Sequence, residues 1–292
     1  MTSAAIKPLH DHKTGRGDFV ICLGAGKSQL PLIVAAKKCG YKVVAVDQNP
    51  IAPGFQISDI VICQSTYKVD PIIKDLHAHP LLASSEQCRG ILNRSSGWPV
   101  VTAASLCTRL NLPGIPERSA MAIVNKHLLR KHCSEEGLPS PKYEIYGTRE
   151  LSKPCHLEFP LVVKPSLSLV GKSGVSVVDN KIALNDAMER AVRYTTNGTI
   201  LVEEFLPGKD FCLVGFVQNT RVVPICLLEE LNETGGDGKI YGKGFKTRGM
   251  SMDGPLVLDA CSIAQKISDI FKIRRSPFMV SLRMDSYGKL NL

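Results

Sequence analysis

Two lysines occupy positions where an ammonium group can meet an anionic ligand. Lys164 comes directly after Phe159–Val163, an apolar run that predicts a strand, so it lies at that strand's end. Lys126 lies in Ser119–Glu136, a stretch with helical spacing. An ammonium group is a compact point charge that suits phosphate oxygens. The two lysines therefore predict a site for the α- and β-phosphates of a nucleotide.

Later segments fit the same ligand. Ser166–Val175 is a loop of small residues, and its glycines allow backbone N–H groups to close over phosphates. Thr199–Gly208 predicts a strand that ends in two acidic and two apolar residues, a combination suited to enclosing adenine and reading its edge. Asp210 follows, and its carboxylate can accept hydrogen bonds from ribose hydroxyls. These segments together indicate ATP binding between two sheets.

A separate α/β pattern precedes these residues. Asp18–Leu23 and Lys42–Val46 predict buried strands, and Leu30–Cys39 predicts a helix between them, so they form a strand–helix–strand unit. The pattern continues with strands and helices at Asp59–Cys63, Pro71–His77, Gly90–Leu92 and Val100–Leu110. We therefore expect an N-terminal Rossmann-like domain with a mostly parallel sheet over residues 19–115, after a flexible tail at residues 1–18.

The remainder, residues 116–292, is predicted to be richer in strands. Its predicted strands, beyond the one before Lys164, are Lys142–Tyr146, Val175–Val178, Ile200–Phe205, Asp210–Gln218, Arg221–Leu228, Phe278–Met284 and Leu290–Leu292. Helices are expected at Ala183–Thr195 and Leu256–Phe271, and a Gly-rich polar loop at Leu231–Gly254.

Two glycine motifs in the first domain suggest other nucleotides. Gly26-Lys27-Ser28 resembles the end of a P-loop, but position 21 is Ile where that loop needs Gly. Gly24-Ala25-Gly26 resembles a dinucleotide turn with Asp47 as the ribose acid, but Gln29 replaces its third glycine. A P-loop is therefore rejected, and an NAD(P) oxidoreductase is a weaker alternative.

Composition excludes several classes of protein. The 292 residues carry a net charge of +9, but the basic residues are dispersed and aromatic residues make up only 6%, so nucleic-acid binding is not favoured. We predict neither a secretory signal nor a membrane span. The 10 cysteines form no C-x-x-C pair, which favours a reduced cytoplasmic protein.

Over nearly its whole length the chain resembles the ATP-grasp superfamily, in particular its carboxylate–amine ligases such as biotin carboxylase and the carbamoyl-phosphate synthetase large chain. The first domain carries part of this likeness, in Gly40–Asp47, Ala52-Pro53-Gly54 and Asn111–Gly114. The resemblance implies an ATP-grasp module of two α+β subdomains, with a lid subdomain at about residues 140–205.

The resemblance also assigns roles to individual residues. It implies that Lys126 and Lys164 are the two nucleotide lysines, and that Asp210 is the ribose acid. The phosphate-covering loop and the adenine hinge that it implies are Gly171, Lys172, Ser173 and Gly174, and Glu203, Glu204, Phe205 and Leu206, respectively. Arg248 and Lys246 are catalytic candidates for clamping a carboxylate or the γ-phosphate.

The final hairpin departs from the family pattern for Mg²⁺. Ser281 stands where the resemblance places an acid, and Asp285 is better explained as a turn residue. The expected E-x-N triplet would follow Leu292, so no metal ligand is assigned. Two explanations remain open: the chain is a shortened form of a longer enzyme, which we prefer, or it has lost the metal site.

The resemblance implies ATP-dependent ligation with Mg²⁺, in which a small carboxylate becomes an acyl phosphate that an amine or another nucleophile attacks. The alternative is an ATP-binding regulatory or scaffold protein without turnover, which Ser281 favours. Small-molecule carboxylate and amine substrates are expected as partners, nucleic acid and membrane are not, and a homo-oligomer is left open.

Overall fold

The computed structural model describes residues 17–80, 82, 85–168, 173–235, 240–247 and 253–292. The chain divides into two compact units: the described residues up to Ser95 with Arg109–Leu112, and residues 96–108 with 113–292. The helix that begins at Trp98 therefore groups with the second unit through Thr108. The predicted domain boundary at residue 115 stays a prediction. Among the described residues no helix is long and apolar enough to span a membrane.

The first unit contains a four-stranded parallel sheet in the order β3-β2-β1-β4. Its strands and helices are β1 (Phe19–Leu23), α1 (Leu30–Lys38), β2 (Lys42–Val46), β3 (Ile60–Ile62), α2 (Val69–Ala78) and β4 (Cys88–Asn93). All five residues of β1 are buried, as expected for a central strand of a parallel sheet covered on both faces. This arrangement confirms the predicted Rossmann-like fold.

The second unit begins with three helices: α3 (Trp98–Arg109), α4 (Glu117–Val124) and α5 (Lys126–Glu135). A four-stranded antiparallel sheet follows, in the order β5-β8-β6-β7. Its elements are β5 (Tyr143–Gly147), β6 (Leu161–Pro165), β7 (Ser176–Val178), α6 (Lys181–Val192) and β8 (Thr199–Glu204). Apolar residues of α6, including Leu184 and Met188, pack on Leu161 and Ile200 of the sheet to form one core.

A second sheet of this unit has five strands in the order β11-β10-β9-β12-β13. Its elements are β9 (Lys209–Gln218), β10 (Arg221–Thr234), β11 (Ile240–Thr247), α7 (Pro255–Ile270), β12 (Arg275–Met284) and β13 (Leu290–Asn291). One face presents Phe211, Leu213 and Leu227 to the apolar side of α7, which forms a larger core. The opposite face carries Asp210 and is free of that core.

Two sequence predictions for the second unit were wrong in detail. The long helix Ser119–Glu136 is two helices, because Asn125 adopts an extended backbone conformation and its side chain accepts hydrogen bonds from the first turn of α5. The expected loop Leu231–Gly254 contains the end of β10 and all of β11. The strand β11 was not predicted because it contains glycines, which are uncommon in strands. Its backbone pairs with β10 from Leu228 to Thr234.

Replacing Gly208 with alanine is expected to destabilise the second unit strongly. Gly208 joins β8 to β9 with φ +149°, and an added Cβ would lie 1.7 Å from the carbonyl oxygen of Met284. Gly244 is a matched control, since its φ is +145° but no atom lies within 4 Å of an added Cβ. Denaturant unfolding should show Gly208→Ala losing about 1–3 kcal/mol more than Gly244→Ala. Equal losses would show that the close contact is unimportant.

Candidate functional site

Three charged side chains meet where β6, β8 and α5 approach one another. Lys164 Nζ lies 2.5 Å from Glu203 Oε2, since the two residues occupy the same face of neighbouring antiparallel strands. Arg130 of α5 approaches the same carboxylate, with Nε 2.6 Å from Oε1 and Nη2 3.4 Å from Oε2. Glu203 is only 3% and Arg130 only 8% exposed, so the ion pairs are largely shielded from water.

Lys126 is held at the first position of α5. Its backbone N–H donates to the carbonyl of Ser166, 2.8 Å away, and the Ser166 hydroxyl donates to the Asn125 side chain, also at 2.8 Å. The same Asn125 oxygen caps α5 by accepting from the backbone N–H of His127 and Leu128. These bonds fix the start of α5 against the residue that follows β6, so Lys126 and Lys164 are brought together.

Burial and mutual charge set the protonation of this cluster. Burial lowers the pKa of Lys126 to about 8, and the nearby Lys164 lowers it in the same direction, while Glu203 opposes them. Burial likewise lowers the pKa of Lys164, against the attraction of Glu203. For Glu203, burial alone would raise the pKa, but the charges and hydrogen bonds of Lys164 and Arg130 lower it. The carboxylate is therefore ionised, and three basic groups surround it.

The predicted adenine hinge continues directly from Glu203. The backbone N–H of Glu204 donates to the backbone carbonyl of Lys142 at 3.0 Å. The backbone N–H of Lys142 donates to the Glu204 carboxylate, also at 3.0 Å. The N–H of Phe205 donates to the carbonyl of Pro160, also at 3.0 Å. These bonds fix the backbone of Glu204 and Phe205 beside the charged cluster.

Asp210 lies at the start of β9 with both carboxylate oxygens engaged. Arg283 Nη1 of β12 donates to Oδ1, and Asn232 Nδ2 of β10 donates to Oδ2, each at 2.8 Å. Arg283 also donates through Nε to the carbonyl of Leu206. The predicted ribose acid and the predicted hinge are thus connected through one guanidinium group.

Other predicted residues fall elsewhere or outside the description. Ser173 and Gly174 form a turn before β7, and an added Cβ at Gly174 would lie 3.0 Å from Pro165, which follows Lys164. Lys246 is exposed on β11 opposite Glu229, on the sheet face that Phe211 shares, so the structure does not bring it to Asp210. Gly171, Lys172 and Arg248 lie outside the described residues.

Three residues of the site, Arg130, Arg283 and Asn232, were not predicted from the sequence. Arg130 could have been found, because it lies four residues after Lys126 and therefore on the same face of a helix. Arg283 and Asn232 gave no such signal: they reach Asp210 only through the pairing of β10 and β12 with β9.

Carboxylates for Mg²⁺ are expected on the final hairpin, which carries Ser281 and Asp285. No group of three or more His, Cys, Asp or Glu side chains among the described residues is placed to hold a metal ion. Ser281 is exposed on β12 opposite Cys212, and a hydroxyl there does not replace a carboxylate. Asp285 accepts from the backbone N–H groups of Tyr287 and Lys289, both at 3.0 Å, which confirms it as a turn residue.

The first unit offers no support for a dinucleotide site at Asp47. One oxygen of its carboxylate accepts from the backbone N–H of Ala25 at 2.8 Å, and the other accepts from that of Asn49 at 2.9 Å. The carboxylate therefore stabilises the turn after β1. This contact with the turn accounts for Asp47 without a nucleotide ligand.

The chain is similar in sequence to several known proteins. The family model described as D-ala D-ala ligase C-terminus matches residues 134–242. Formate-dependent phosphoribosylglycinamide formyltransferase from Bacillus subtilis (strain 168) is 29% identical over 202 residues, which cover 64% of this chain and 48% of that protein. The same enzyme from Prochlorococcus marinus is 26% identical over 271 residues, covering 86% of this chain and 62% of the relative. The chain thus spans about half the length of the first of these curated relatives.

Solved structures show the same fold. The L-amino acid ligase from Bacillus licheniformis matches with a TM-score of 0.75 and 20% identity, over 95% of this chain and 66% of that one. The N5-carboxyaminoimidazole synthetase from Staphylococcus aureus complexed with ADP matches with a TM-score of 0.74 and 16% identity, over 94% of this chain and 69% of that one. The chain therefore has the ATP-grasp fold, and the predicted resemblance to the ATP-grasp superfamily is confirmed.

Proposed function

We propose that the protein is an ATP-dependent ligase of the ATP-grasp type, which activates a carboxylate as an acyl phosphate for attack by an amine. The observation that carries the proposal is the cluster of Lys126, Lys164 and Arg130 around Glu203. Three basic groups beside one carboxylate give the cluster a net positive charge, which suits the binding of a triphosphate. The similar proteins named above include ligases and a structure complexed with ADP, which supports the choice of nucleotide.

The nucleotide would lie between the two sheets of the second unit. Lys126 and Lys164 would bind its α- and β-phosphates, the segment from Glu203 to Leu206 would hold adenine, and Asp210 would accept from the ribose. Gly171, Lys172, Ser173 and Gly174 would cover the phosphates as part of a lid at about residues 140–205. Arg248 and Lys246 remain candidates for the carboxylate or γ-phosphate, although Lys246 lies on the sheet face opposite Asp210.

The proposed reaction has two steps. A carboxylate oxygen of the substrate attacks the γ-phosphorus of ATP, ADP leaves, and the amine then displaces phosphate from the acyl phosphate. Lys126 and Lys164, at the α- and β-phosphates, would stabilise the charge that develops on the leaving ADP. Mg²⁺ is expected to accompany ATP, and no step of the reaction is assigned to it. We place this activity in the cytoplasm, on small-molecule substrates.

The affinity for ATP is expected to fall as the pH rises above the pKa of Lys126, which is about 8. The charged form predominates below that pKa, and a bound triphosphate favours it, so binding at higher pH requires proton uptake. Titration calorimetry should show about a tenfold loss of affinity between roughly pH 7 and pH 9. Lys126→Met should remove most of this slope. An equal slope in the variant would assign the proton to another group.

A nucleotide-binding protein without turnover is the second candidate. Ser281 favours it, because a hydroxyl occupies the place of the expected acid on β12. The two candidates differ in one product: only the ligase releases ADP when ATP is supplied with a carboxylate and an amine.

Thermal unfolding with nucleotides tests the proposal. ATP with Mg²⁺ should raise the melting temperature, since it binds only the folded state, and NAD(P) should not. ADP release in the presence of carboxylate and amine mixtures would then support the ligase. Stabilisation by NAD(P) alone would contradict both candidates, whereas stabilisation by ATP without any ADP would favour the second.

A further inference from the structure

Arg283 connects two parts of the proposed nucleotide site that lie far apart in sequence. Its Nε donates to the carbonyl of Leu206, its Nη1 lies 2.8 Å from Asp210 Oδ1, and its guanidinium carbon lies 4.9 Å from the centre of the Phe205 ring. Arg283 thus contacts two residues of the predicted hinge and the predicted ribose acid at once.

The contact with Asp210 is fixed by strand register. Arg283 of β12 pairs directly with Asp210 of β9, so both side chains emerge on the same sheet face. The other carboxylate oxygen accepts from Asn232 of β10, on the opposite flank of β9. Each oxygen of Asp210 therefore has one donor, supplied from a different neighbouring strand.

This arrangement orients the Asp210 carboxylate and leaves some of its hydrogen-bond acceptor positions for a ligand. Two carboxylate oxygens offer about four acceptor positions, so two remain for further donors. A carboxylate that is already oriented loses little freedom when a ligand binds. The planar fork of arginine can hold Leu206 and Asp210 together, whereas a lysine ammonium presents no such fixed geometry.

We propose that Arg283, assisted by Asn232, is a positioning residue that orients the Asp210 carboxylate toward the ribose 2′-hydroxyl and thereby sets the preference for ribonucleotides over 2′-deoxyribonucleotides. This inference rests on the proposed function, since it requires ATP to occupy the site. The guanidinium acts on the sugar only through Asp210.

The test compares the affinities of ATP and 2′-deoxyATP by titration calorimetry. The unsubstituted protein should bind ATP about tenfold more tightly, because a hydrogen bond to a charged group is lost with the 2′-hydroxyl. Arg283→Met should reduce that ratio to near one, mainly by weakening ATP binding, and Arg283→Lys should give an intermediate ratio. Arg275→Met is the matched control. Arg275 lies at the opposite end of β12, where its side chain contacts Asn219, so this substitution should leave the affinity ratio unchanged.

Each outcome decides the inference. If Arg283→Met weakens the binding of ATP and of 2′-deoxyATP equally, Arg283 has a purely structural role and the inference is overturned. The inference is also overturned if the unsubstituted protein binds both nucleotides with equal affinity. If Arg283→Met does not fold, Asn232→Ala should still lower the ratio, and an unchanged ratio there would count against the inference. Failure of the unsubstituted protein to bind ATP would instead overturn the proposed function and the inference with it.

Discussion

Replacing Lys164 with methionine is expected to weaken ATP binding by about 100-fold, because a charge-assisted contact with the phosphates is lost from a shielded site. The side chain of Lys164 is only 16% exposed, so water cannot substitute well for its ammonium group. The variant should still fold, since Glu203 keeps its two contacts with Arg130. Titration calorimetry on the folded variant measures the loss.

Lys142→Met is the matched control for Lys164→Met. Lys142 is exposed, and only its backbone contacts the neighbouring Glu204 in the hydrogen bonds described above. Its side chain should therefore contribute little to a phosphate site. An ATP affinity in Lys164→Met equal to that of the control would remove Lys164 from the nucleotide site.

Replacing Arg130 with methionine is expected to lower the free energy of unfolding by about 3 kcal/mol, because a buried carboxylate loses one of its two cationic partners. Glu203 would then keep Lys164 as its one directly paired cation. The ATP affinity should consequently fall as well, since Lys164 must exchange Glu203 for phosphate. Chemical denaturation and titration calorimetry measure the two effects separately.

A double variant distinguishes the charge from the packing of Arg130. Arg130→Met with Glu203→Gln removes both charges and should recover part of the lost stability. Lys131→Met is the surface control: both Lys131 and its partner Glu135 are exposed, at 3.9 Å, so its effect should stay within about 0.5 kcal/mol. A loss no larger than that control would show that Glu203 does not depend on Arg130.

Local sequence pattern was sufficient for the parts of the fold that depend on local chemistry. The strand β1 is a continuous apolar run, and Lys164 follows another such run, so both could be predicted. The break at Asn125 was missed because an N-cap within continuous helical spacing gives a weak signal. The strand β11 was missed because its glycines and charges are typical of a loop.

Contacts between side chains on elements that are distant in sequence could not be predicted. Arg130 meets Glu203, and Arg283 meets Asp210, across 73 residues of sequence in each case. Whether a given side chain faces a carboxylate depends on register, and a slip of one residue turns it to the other face of the sheet. The contacts of Arg283 and Asn232 with Asp210 therefore became visible only with the pairing of β9 with β10 and β12.

A crystal structure of the protein with a non-hydrolysable ATP analogue would show whether one nucleotide contacts both lysines. We expect the ammonium groups of Lys126 and Lys164 both to lie within hydrogen-bond distance, about 3 Å, of the phosphates of one bound nucleotide. A nucleotide bound elsewhere, or a triphosphate that neither ammonium group contacts, would contradict it.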